Sequence, residues 1–505
     1  MSRPTTELNP SQQRAVEERG GHLLIVAGPG TGKTHTITFR IESLLKELEN
    51  HEHILAITFT RKAAEELRAR LEKRTGRESA RIFAGTFHQF CLDVLRAYDP
   101  LHEYKVAAPE DIRQWVKEKW PKRKARALKD FLNAVSLFKA TPGAKEAPEE
   151  YGTYQDLLKT KGVIDFDDVL CYALELLKKN ADILDAVRRK YPFIFVDEYQ
   201  DINAVQHELL ITLIGENNRL TAIGDPNQAI YGFRGSDVRF FKSFAEDFPG
   251  ARLLTLVDNY RSSEHLLTAS SQVIAKDSSF DVPPLTAQIY REGRLSIYEA
   301  ATEKAEAEYV VHQIEKMIGG TSMFSQDSGR VLSFEDAEIS FGDIAILYRI
   351  NSQSLALQTA LERSGIPYHV NTAKKEEEID DICPNRCDNV SVDAEKVTLM
   401  SLHASKGLEF PVVFIVGCEE KLLPLDLNGM TSRPEEERRL FYVGMTRAKQ
   451  WLYLLRSRRR SFFGKTWETK ASPFLADIEE ELKAYEVNRL KKKRKKPKDQ
   501  QMQLF

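Results

Sequence analysis

The chain has few cysteines, no long apolar run and almost no net charge. Five cysteines among 505 residues are typical of a reduced, cytoplasmic protein rather than one held by disulfides. No apolar run approaches the ~20 residues of a membrane span, and the N-terminus lacks the apolar region of a signal peptide, so we expect no membrane contact. A net charge of −2 gives no indication of nucleic-acid binding, although a local basic groove would be enough to bind phosphates.

Apolar runs separated by helical stretches recur along the chain, which is too long for one core, so two or more domains are expected. The first set is Leu23–Val26, His53–Phe59, Phe193–Val196, Leu220–Ile223 and Leu253–Leu256, and the second is Leu295–Tyr298, Ile344–Tyr348, Val397–Leu402, Val412–Val416 and Trp451–Leu455. This alternation predicts two α/β units with parallel sheets. We assign residues 1–97 with 162–258 to a first lobe, 98–161 to a helical insertion, 259–475 to a second lobe, and 476–505 to a helix end and a disordered basic tail.

A glycine-rich segment, Ala27-Gly28-Pro29-Gly30-Thr31-Gly32-Lys33-Thr34, lies between the first apolar run and a predicted helix, Thr36–Leu48. In this context backbone N–H groups and a helix N-terminus hold phosphates. Lys33 would contact the β- and γ-phosphates, and Thr34 would offer its hydroxyl to Mg²⁺. The strict pattern has Gly in place of Ala27, but the flanking strand and helix favour a phosphate loop, which only the first lobe has.

Polar side chains follow two further strands of the first lobe. Asp197 and Glu198 end the run Phe193–Val196, where a parallel strand can deliver one acid to Mg²⁺ and a base to water. Gln228 follows Leu220–Ile223 and is placed to sense a γ-phosphate. The next residues, Tyr231-Gly232-Phe233-Arg234-Gly235, suit the stacking of unpaired bases, although they could equally form a turn whose rings pack into the core.

In their order and over nearly the whole chain, these motifs resemble superfamily 1 DNA helicases of the UvrD/Rep/PcrA type. The resemblance is carried by residues 8–12, 57–67, 85–88, 164–168, 259–262, 397–410 and 435–448. It implies two RecA-like lobes with a small helical insertion in the first. It also implies an enzyme that uses ATP and Mg²⁺ as cofactors and hydrolyses the ATP. This enzyme would move 3′ to 5′ on single-stranded DNA in repair or replication.

The resemblance assigns roles to individual residues. It implies that Gln12 reads adenine and that Tyr260 stacks on the same base. Gly407 and Glu409 would also lie at the nucleotide, with Glu409 on the ribose. Arg261 and Arg447 would act as arginine fingers on the phosphates. The implied DNA contacts are Thr58, Phe59, Arg61, Phe87, His88, Tyr231, Phe233, Arg234 and His403.

Three departures from the family pattern stand out. His35 replaces an Arg that stacks on the base, and a neutral imidazole brings less cation–π attraction, so nucleotide affinity could be weaker or unchanged. Phe233 replaces a Trp and offers a smaller stacking surface. Relatives carry a whole helical domain in the second lobe, where this chain has only a connector at about 370–396, which is far too short for a domain.

We therefore predict a compact helicase without the restraint that the missing insert imposes on unwinding. Its monomer should translocate on single strands, and its unwinding of duplex should be either unrestrained or poor. Cys383 and Cys387 in the connector could bind a metal, but no second pair lies nearby and a loop is the simpler interpretation. The expected partners are single-stranded DNA, junctions of single and double strands, and a sliding clamp bound by the last five residues, Gln501–Phe505. Two alternatives remain open: a translocase that displaces proteins without unwinding, and the motor subunit of a helicase–nuclease.

Overall fold

Two parallel β-sheets organise the chain. The computed structural model describes residues 7–99, 104–277, 280, 282–290, 292–319, 339–371, 395–427, 430–462 and 465–486. The strands of the first sheet are β1 Leu23–Ala27, β2 Ile54–Thr58, β3 Ile82–Thr86, β4 Phe193–Val196, β5 Arg219–Gly224 and β6 Arg252–Leu256. They lie in the order β3-β2-β4-β5-β1-β6, and all neighbours are parallel. Strands β1, β2 and β4 are buried along their whole length, because helices cover both faces of a parallel sheet.

Twelve helices belong to the described part of the first lobe and its insertion. They are α1 Pro10–Glu17, α2 Lys33–Leu45, α3 Arg61–Thr75, α4 Phe87–Tyr98, α5 Pro109–Lys119, α6 Ala125–Lys139, α7 Tyr151–Thr160, α8 Phe166–Lys179, α9 Ala181–Lys190, α10 Ala204–Leu213, α11 Arg239–Lys242 and α12 Phe244–Asp247. Helix α2 begins directly after Gly32, which has a left-handed conformation. Compared with the predicted helix, Thr36–Leu48, both ends of α2 lie three residues closer to the N-terminus.

Helices α5, α6 and α7 form the predicted insertion and have a small core of their own, which includes Val116, Phe131 and Tyr154. The chain enters and leaves the insertion at one place, where Val106 forms an isolated parallel bridge with Ile164. Buried Lys139 at the end of α6 lies 2.6 Å from carboxylate oxygens of both Asp165 and Asp168. These contacts fix the end of α6 to the start of α8, and therefore the insertion to the first lobe.

The rest of the chain builds the second lobe. Its elements are β7 Asp258–Asn259, α13 Glu264–Ile274, β8 Thr286–Ala287, β9 Arg294–Ala300, α14 Glu303–Met317, β10 Ile344–Tyr348, α15 Ser354–Arg363, β11 Tyr368–Val370, β12 Val397–Ser401, β13 Phe410–Ile415, β14 Asp426–Leu427, β15 Met430–Thr431, α16 Pro434–Met445, β16 Ala448–Ser457, β17 Arg459–Phe462, β18 Lys465–Glu468, α17 Pro473–Ala476 and β19 Ala484–Glu486. The second sheet has the parallel order β11-β12-β10-β13-β16-β9-β19.

The predicted fold class, two parallel α/β sheets with a helical insertion in the first, is confirmed. The edge strands β3, β11 and β19 were not predicted, because β11 and β19 have only three residues each and β3 includes Gly85, so their apolar pattern is weak. Strand β19 also corrects the prediction for the C-terminal region: residues 484–486 pair with β9, so the second sheet continues beyond residue 475. The connector joins β11 to its parallel neighbour β12, and residues 372–394 of it, with Cys383 and Cys387, lie outside the described residues, as do 487–505.

One segment of the first lobe packs into the second. Ile230 and Tyr231 follow β5, yet both are buried in the second lobe's core beside Leu402 and Phe441. The two lobes are therefore joined at this segment by apolar packing as well as by the chain. Among the described residues, no helix combines the length and the apolar character that crossing a membrane would require.

Candidate active site between the lobes

The loop between β1 and α2 has the shape of a phosphate cradle. Gly30 and Gly32 have φ angles of +70° and +81°, a region that residues with a Cβ rarely adopt. A Cβ at Gly30 would lie 2.5 Å from the Cβ of Arg261, because the second lobe passes directly against the loop. Nζ of Lys33 donates to the carbonyl oxygens of Ala27 at 3.0 Å and Gly28 at 3.2 Å, so the ammonium group lies over the loop.

Paired carboxylates at the end of β4 face this loop. The Asp197 amide donates to the Ile57 carbonyl at 2.9 Å, and the Glu198 amide donates to Oδ1 of Asp197 at 2.9 Å. Glu198 has a φ of +52°, and such a conformation costs a non-glycine residue on the order of 1–3 kcal/mol. The β4 turn thus keeps both acids at the cleft at the expense of backbone strain.

Burial raises the pKa of both acids, but their neighbours leave the two pKa values shifted in opposite directions. Burial, and next the charge of Glu198, raise the pKa of Asp197 against the opposing charge of Lys33. Burial also pushes the pKa of Glu198 upward, but Lys406 and Lys33 outweigh it and leave that pKa below its usual value. Glu198 is therefore the ionised member of the pair, as a base must be, whereas the charges of Lys33 and Lys406 do not outweigh burial at Asp197.

Lys406 of the second lobe reaches into the first. Its Nζ lies 2.5 Å from Oδ2 of Asp201 and donates to the Gln228 carbonyl oxygen at 2.9 Å, and it is 3.9 Å from Oε2 of Glu198. Burial raises the pKa of Asp201 to about 7 even though Lys406 opposes the shift. The ammonium group thus holds together two polar segments that follow neighbouring strands, β4 and β5.

Arg447 meets the side chain of Gln228. The guanidinium is almost completely buried and donates to the carbonyl oxygens of Val443 at 2.8 Å and Leu408 at 3.0 Å, and to Oε1 of Gln228 at 3.2 Å. Burial, and next the neighbouring Arg261, lower the pKa of Arg447 to about 9. The amide nitrogen of Gln228 in turn donates to Asp225 at 2.6 Å, which fixes the orientation of the amide.

Glu409, in the lining of the cleft, forms ion pairs with two cations. Its oxygens lie 2.6 Å from Nε of Arg261 and 2.9 Å from Nζ of Lys449. Burial opposes ionisation of Glu409, but Arg261 and Lys449 lower its pKa to about 2. In this arrangement Glu409 positions Arg261 beside the phosphate loop.

The far end of the cleft is lined by Gln12, Tyr260, His35 and Ile289. Nε2 of Gln12 donates to the Thr31 carbonyl at 3.0 Å, and Oε1 accepts from the Asn9 amide at 3.0 Å. The His35 ring packs against Phe39, with 4.6 Å between centroids. Burial, and next Arg74 and Arg70, lower the pKa of His35, so its ring is neutral at pH 7.

An aromatic row lies beside the cleft. The rings of Phe59 and Tyr231 are stacked 5.2 Å apart, and Phe233 lies edge-on to Tyr231 and to His403 at 6.1 and 5.7 Å. The Arg234 guanidinium lies 5.4 Å from the centroids of both Tyr231 and Phe233. Phe233 is 56% exposed, whereas Tyr231 is buried. The Phe233 ring is therefore available for stacking on a base, and the Tyr231 ring packs into the core.

Comparison with known proteins agrees with this geometry. A family model for the UvrD/REP helicase N-terminal domain matches residues 8–249, and one for the UvrD-like helicase C-terminal domain matches residues 254–383 and 372–459. The chain belongs to the UvrD/REP helicase family. It is an ATP-hydrolysing DNA helicase, and the two sheets described above are the RecA-like lobes of that family.

Two similar proteins show how far the sequence of this chain differs from those of its relatives. The ATP-dependent DNA helicase PcrA of Staphylococcus epidermidis is 28% identical over 656 residues, which covers 95% of this chain and 88% of the relative. The ATP-dependent DNA helicase PcrA of Staphylococcus aureus (strain Mu50) is 27% identical, with 95% and 87% covered. Because both alignments are longer than this chain, these relatives carry segments that have no counterpart here.

The structure brings most of the predicted helicase residues into one cleft of about 900 Å³. Its lining includes Gln12, Gly28, Pro29, Gly30, Thr31, Gly32, Lys33, Thr34, His35, Phe59, Asp197, Glu198, Gln228, Tyr231, Tyr260, Arg261, His403, Gly407, Glu409 and Arg447. Ala27 is buried at the end of β1 and contributes its carbonyl oxygen, which accepts from Lys33. Phe233 and Arg234 lie beside the cleft in the aromatic row, and Arg61 begins α3.

Phe87 and His88 begin α4 and are not part of the cleft lining. Phe87 is 5% exposed in the core of the first lobe, so its ring cannot serve as a stacking surface for a base. His88 stacks on Phe166 with 3.6 Å between ring centroids, and burial, and next Arg61, lower its pKa to about 3. Thr58 is buried and donates to the Thr60 carbonyl at 3.0 Å. Phe87 and Thr58 are thus buried and His88 is half-buried, and their contacts with DNA stay predictions.

Three further residues of the site were not predicted individually. Lys406 lay inside a motif that the resemblance used, but its partner Asp201 is 205 residues away. Glu436 accepts from the Gly232 amide at 2.9 Å, and Arg439 donates to the Ala229 carbonyl at 3.0 Å. Both belong to α16, so this helix contacts the segment from Gln228 to Gly232 at several points. All three residues lie inside segments that carry the resemblance, 397–410 and 435–448, and this was the only available signal.

Proposed function

We propose that the chain is an ATP-driven motor that moves 3′ to 5′ along single-stranded DNA by opening and closing its two lobes. The observation that carries this proposal is the position of Gln228. Two cations of the second lobe, Lys406 and Arg447, converge on it, and the aromatic row follows it in the same short segment. A change at the γ-phosphate would therefore reach both the lobe contact and the DNA-stacking rings.

The nucleotide base would be adenine, read by Gln12. An amide side chain has two donors and two acceptor positions, and one of each is used on Thr31 and Asn9. One N–H and one lone pair remain, and adenine offers N7 as an acceptor and N6 as a donor. Tyr260, whose hydroxyl accepts from Asn9 at 3.0 Å, and Ile289 would provide the apolar walls.

Mg²⁺ would be held by Thr34 and Asp197, and the residues present fit it. Asp197 is a half-buried carboxylate with a raised pKa, as expected of a ligand without its cation. Among the described residues no group of three His, Cys, Asp or Glu side chains forms a metal cage by itself. Mg²⁺ at a nucleotide characteristically uses only one or two carboxylates beside phosphates and water. When bound, it neutralises charge on the phosphate oxygens.

The chain's own residues would share the work of hydrolysis. Lys33 would leave the carbonyl oxygens of its loop to bind phosphate oxygens, and Glu198, ionised in this environment, would accept a proton from the attacking water. Arg261 and Arg447 would stabilise charge on the transferred group only when the lobes are closed. Loss of the γ-phosphate would then weaken the contacts that close the lobes.

The proposal also covers the location of the helicase in the cell, its DNA substrates and its partner protein. We propose a cytoplasmic enzyme of repair or replication that binds junctions and single strands, lacks the accessory insert, and binds a sliding clamp through Gln501–Phe505, which lie outside the described residues. A protein-displacing translocase and the motor subunit of a helicase–nuclease would use the same cleft. No contact described above favours either over the helicase.

A displacement assay tests direction and activity together. Streptavidin is attached to the 3′ or the 5′ end of single-stranded oligonucleotides, and a 3′-tailed duplex is assayed beside them. We expect ATP-dependent release of streptavidin from the 5′ end, and strand separation of the duplex, with neither in Lys33→Ala. Release only from the 3′ end would reverse the direction. Release without strand separation would identify the protein-displacing alternative.

A further inference from the structure

Glu409 holds two cations, and one of them has no task in the function proposed above. Oε2 of Glu409 accepts from Nε of Arg261 at 2.6 Å, and Oε1 lies 2.9 Å from Nζ of Lys449. Arg261 and Glu409 belong to the described lining of the cleft, whereas Lys449 does not. Lys449 therefore reaches the carboxylate from outside the nucleotide site, and its route to that site is the contact with Glu409.

The contact with Glu409 uses the one N–H of Arg261 that lies outside its terminal fork. A guanidinium has five N–H groups, of which Nε carries one and the two Nη nitrogens carry four. The Arg261 backbone lies against the phosphate loop, since a Cβ at Gly30 would be 2.5 Å from the Cβ of Arg261. Glu409 thus holds the stem of the side chain, and the planar fork beyond it has the geometry that suits phosphate oxygens.

Arg261 needs such a hold because a second guanidinium lies close by. Burial, and next Arg261, lower the pKa of Arg447, so the two positive charges repel each other, while Glu198 and Glu409 act in the opposite direction. The side chain of Glu409 is itself 42% exposed, and several staggered rotamers are open to a glutamate at such a position. Its orientation therefore depends on what fixes the second carboxylate oxygen.

Lys449 supplies an anchor with a fixed backbone. Its carbonyl oxygen accepts from the Ser263 amide at 2.9 Å, and one residue earlier the Ala448 carbonyl oxygen accepts from Oγ of Ser262 at 2.6 Å. Ser262 and Ser263 directly follow Arg261, so the start of β16 is tied to the segment that carries this arginine. Lys449 and Arg261 thus hold the two oxygens of one carboxylate from backbone positions with a fixed spacing.

We propose that Lys449 is a positioning residue of the ATPase site: it fixes the Glu409 carboxylate, which in turn aims the fork of Arg261 at the phosphates. The inference rests on the proposed function, because it takes Arg261 as a group that stabilises the transferred phosphate. Lys449 acts on the alignment of Arg261 and not on the binding of ATP. A misplacement of about 1 Å can lower a rate about 10²-fold. Arg261 keeps its own bond to Oε2 when Lys449 is lost, so the expected loss is smaller, about tenfold.

The test measures single-strand-stimulated ATPase in variants of the full chain. Lys449→Met removes the ammonium group and keeps most of the length of the side chain, and Lys449→Arg keeps a cation. Lys316→Met, at an exposed lysine in the last turn of α14, is the matched control. Arg261→Lys and the double variant K449M/R261K show whether Lys449 acts through Arg261. The melting temperature of each variant is measured without nucleotide.

We expect K449M to lose about tenfold in kcat, with a KM for ATP within about twofold of the control. Its melting temperature should equal that of the control, because a partly exposed ion pair contributes little to stability. K449R should recover most of kcat. In the R261K background K449M should cause no further loss, since residues that act as one unit do not have additive effects.

Three results would overturn the inference. The first is a wild-type kcat in K449M. The second is a further loss in the R261K background as large as the loss in the wild type, which would show an effect independent of Arg261. The third is a raised KM with an unchanged kcat, which would assign Lys449 to ATP binding. Failure of the proposed function has a different signature: a wild-type kcat in R261K would contradict the role of Arg261 on the phosphates, whatever K449M does.

Discussion

Nη2 of Arg447 donates a hydrogen bond of 3.2 Å to Oε1 of Gln228, and the two residues belong to different lobes of the helicase. The Gln228 amide nitrogen is already committed to Asp225, so its oxygen is the atom left to report on the second lobe. Lys406 contacts the backbone of the same residue from the same lobe. Two cations of the second lobe therefore meet at Gln228, as the proposed coupling between the lobes requires.

Replacing Arg447 by lysine should remove the planar, bidentate donor while keeping a charge. We expect ATP turnover stimulated by single-stranded DNA to fall by about 10³-fold or more, since arginine fingers contribute 10³–10⁵ in rate, with little change in the KM for ATP. Steady-state ATPase assays measure this. Arg459→Lys, an exposed arginine of β17, serves as the control and should keep full activity. Wild-type turnover in R447K would contradict the role of Arg447.

Replacing Lys406 by methionine should leave the carboxylate of Asp201 buried without its cation at pH 9, well above the pKa of about 7 that this group has beside Lys406. We expect the free energy of unfolding to fall by about 3–5 kcal/mol, the cost of breaking a buried pair. Urea denaturation measures it. The double variant K406M/D201N should recover most of the stability, because the amide needs no cation, but it should not recover DNA-stimulated ATPase. A K406M variant as stable as the wild type would contradict this account of the ion pair.

The raised pKa of Asp197 predicts a stability that depends on pH. The folded state holds the proton of this carboxyl to higher pH than the unfolded chain does, so stability decreases as pH rises from about 4, through the range in which the unfolded carboxyl has already ionised. Asp197→Asn should therefore raise the melting temperature of the nucleotide-free protein at pH 8, and by less at pH 5. Melting curves at the two pH values measure this.

An exposed aspartate provides the control for that experiment. Asp156→Asn in α7 should change the melting temperature little and equally at both pH values. The advantage of D197N should also vanish when Mg²⁺ and a non-hydrolysable ATP analogue are present, since the wild-type carboxylate then has a cation. A D197N variant that is less stable than wild type at pH 8 would contradict the assigned pKa direction.

Phe233 should contribute to single-strand affinity through its exposed ring. Phe233→Ala is expected to weaken binding of a short single strand by about 1–3 kcal/mol, the usual contribution of a base stacked on an aromatic side chain. Fluorescence anisotropy with a labelled oligonucleotide measures this. Tyr485→Ala removes a ring of similar exposure, 59% against 56%, on the distant strand β19. Equal losses in the two variants would show that the aromatic row has no special role.

The motifs of the first lobe were predictable because each is local. A glycine loop after a buried strand, or two acids at the end of another, occupies consecutive residues, and parallel strands place all such ends at one edge of a sheet. The second lobe contributes differently: Glu409 and Arg447 immediately precede β13 and β16 rather than following them. Their contribution came from family resemblance, because no local pattern marks the residue before a strand.

The predicted DNA contacts of Phe87 and His88 stay predictions. A motif shows which residues recur together, but burial depends on what packs above them, here Phe166 against His88 and the core of the first lobe around Phe87. The edge strands β3, β11 and β19 were missed because β11 and β19 have only three residues each and β3 includes Gly85, so none of them gives a clear apolar pattern. The domain boundaries at residues 97, 161 and 258 remain predictions.

The sequence by itself determined the chemistry of the first lobe: a phosphate loop ending in Lys33, and the acids Asp197 and Glu198 at the end of a parallel strand. Only the tertiary structure decided which residues complete it. The partners of Lys406 and Arg447 lie 205 and 219 residues away along the chain, and such contacts follow from the packing of the two lobes. The same packing divided the aromatic turn into a buried Tyr231 and an exposed Phe233.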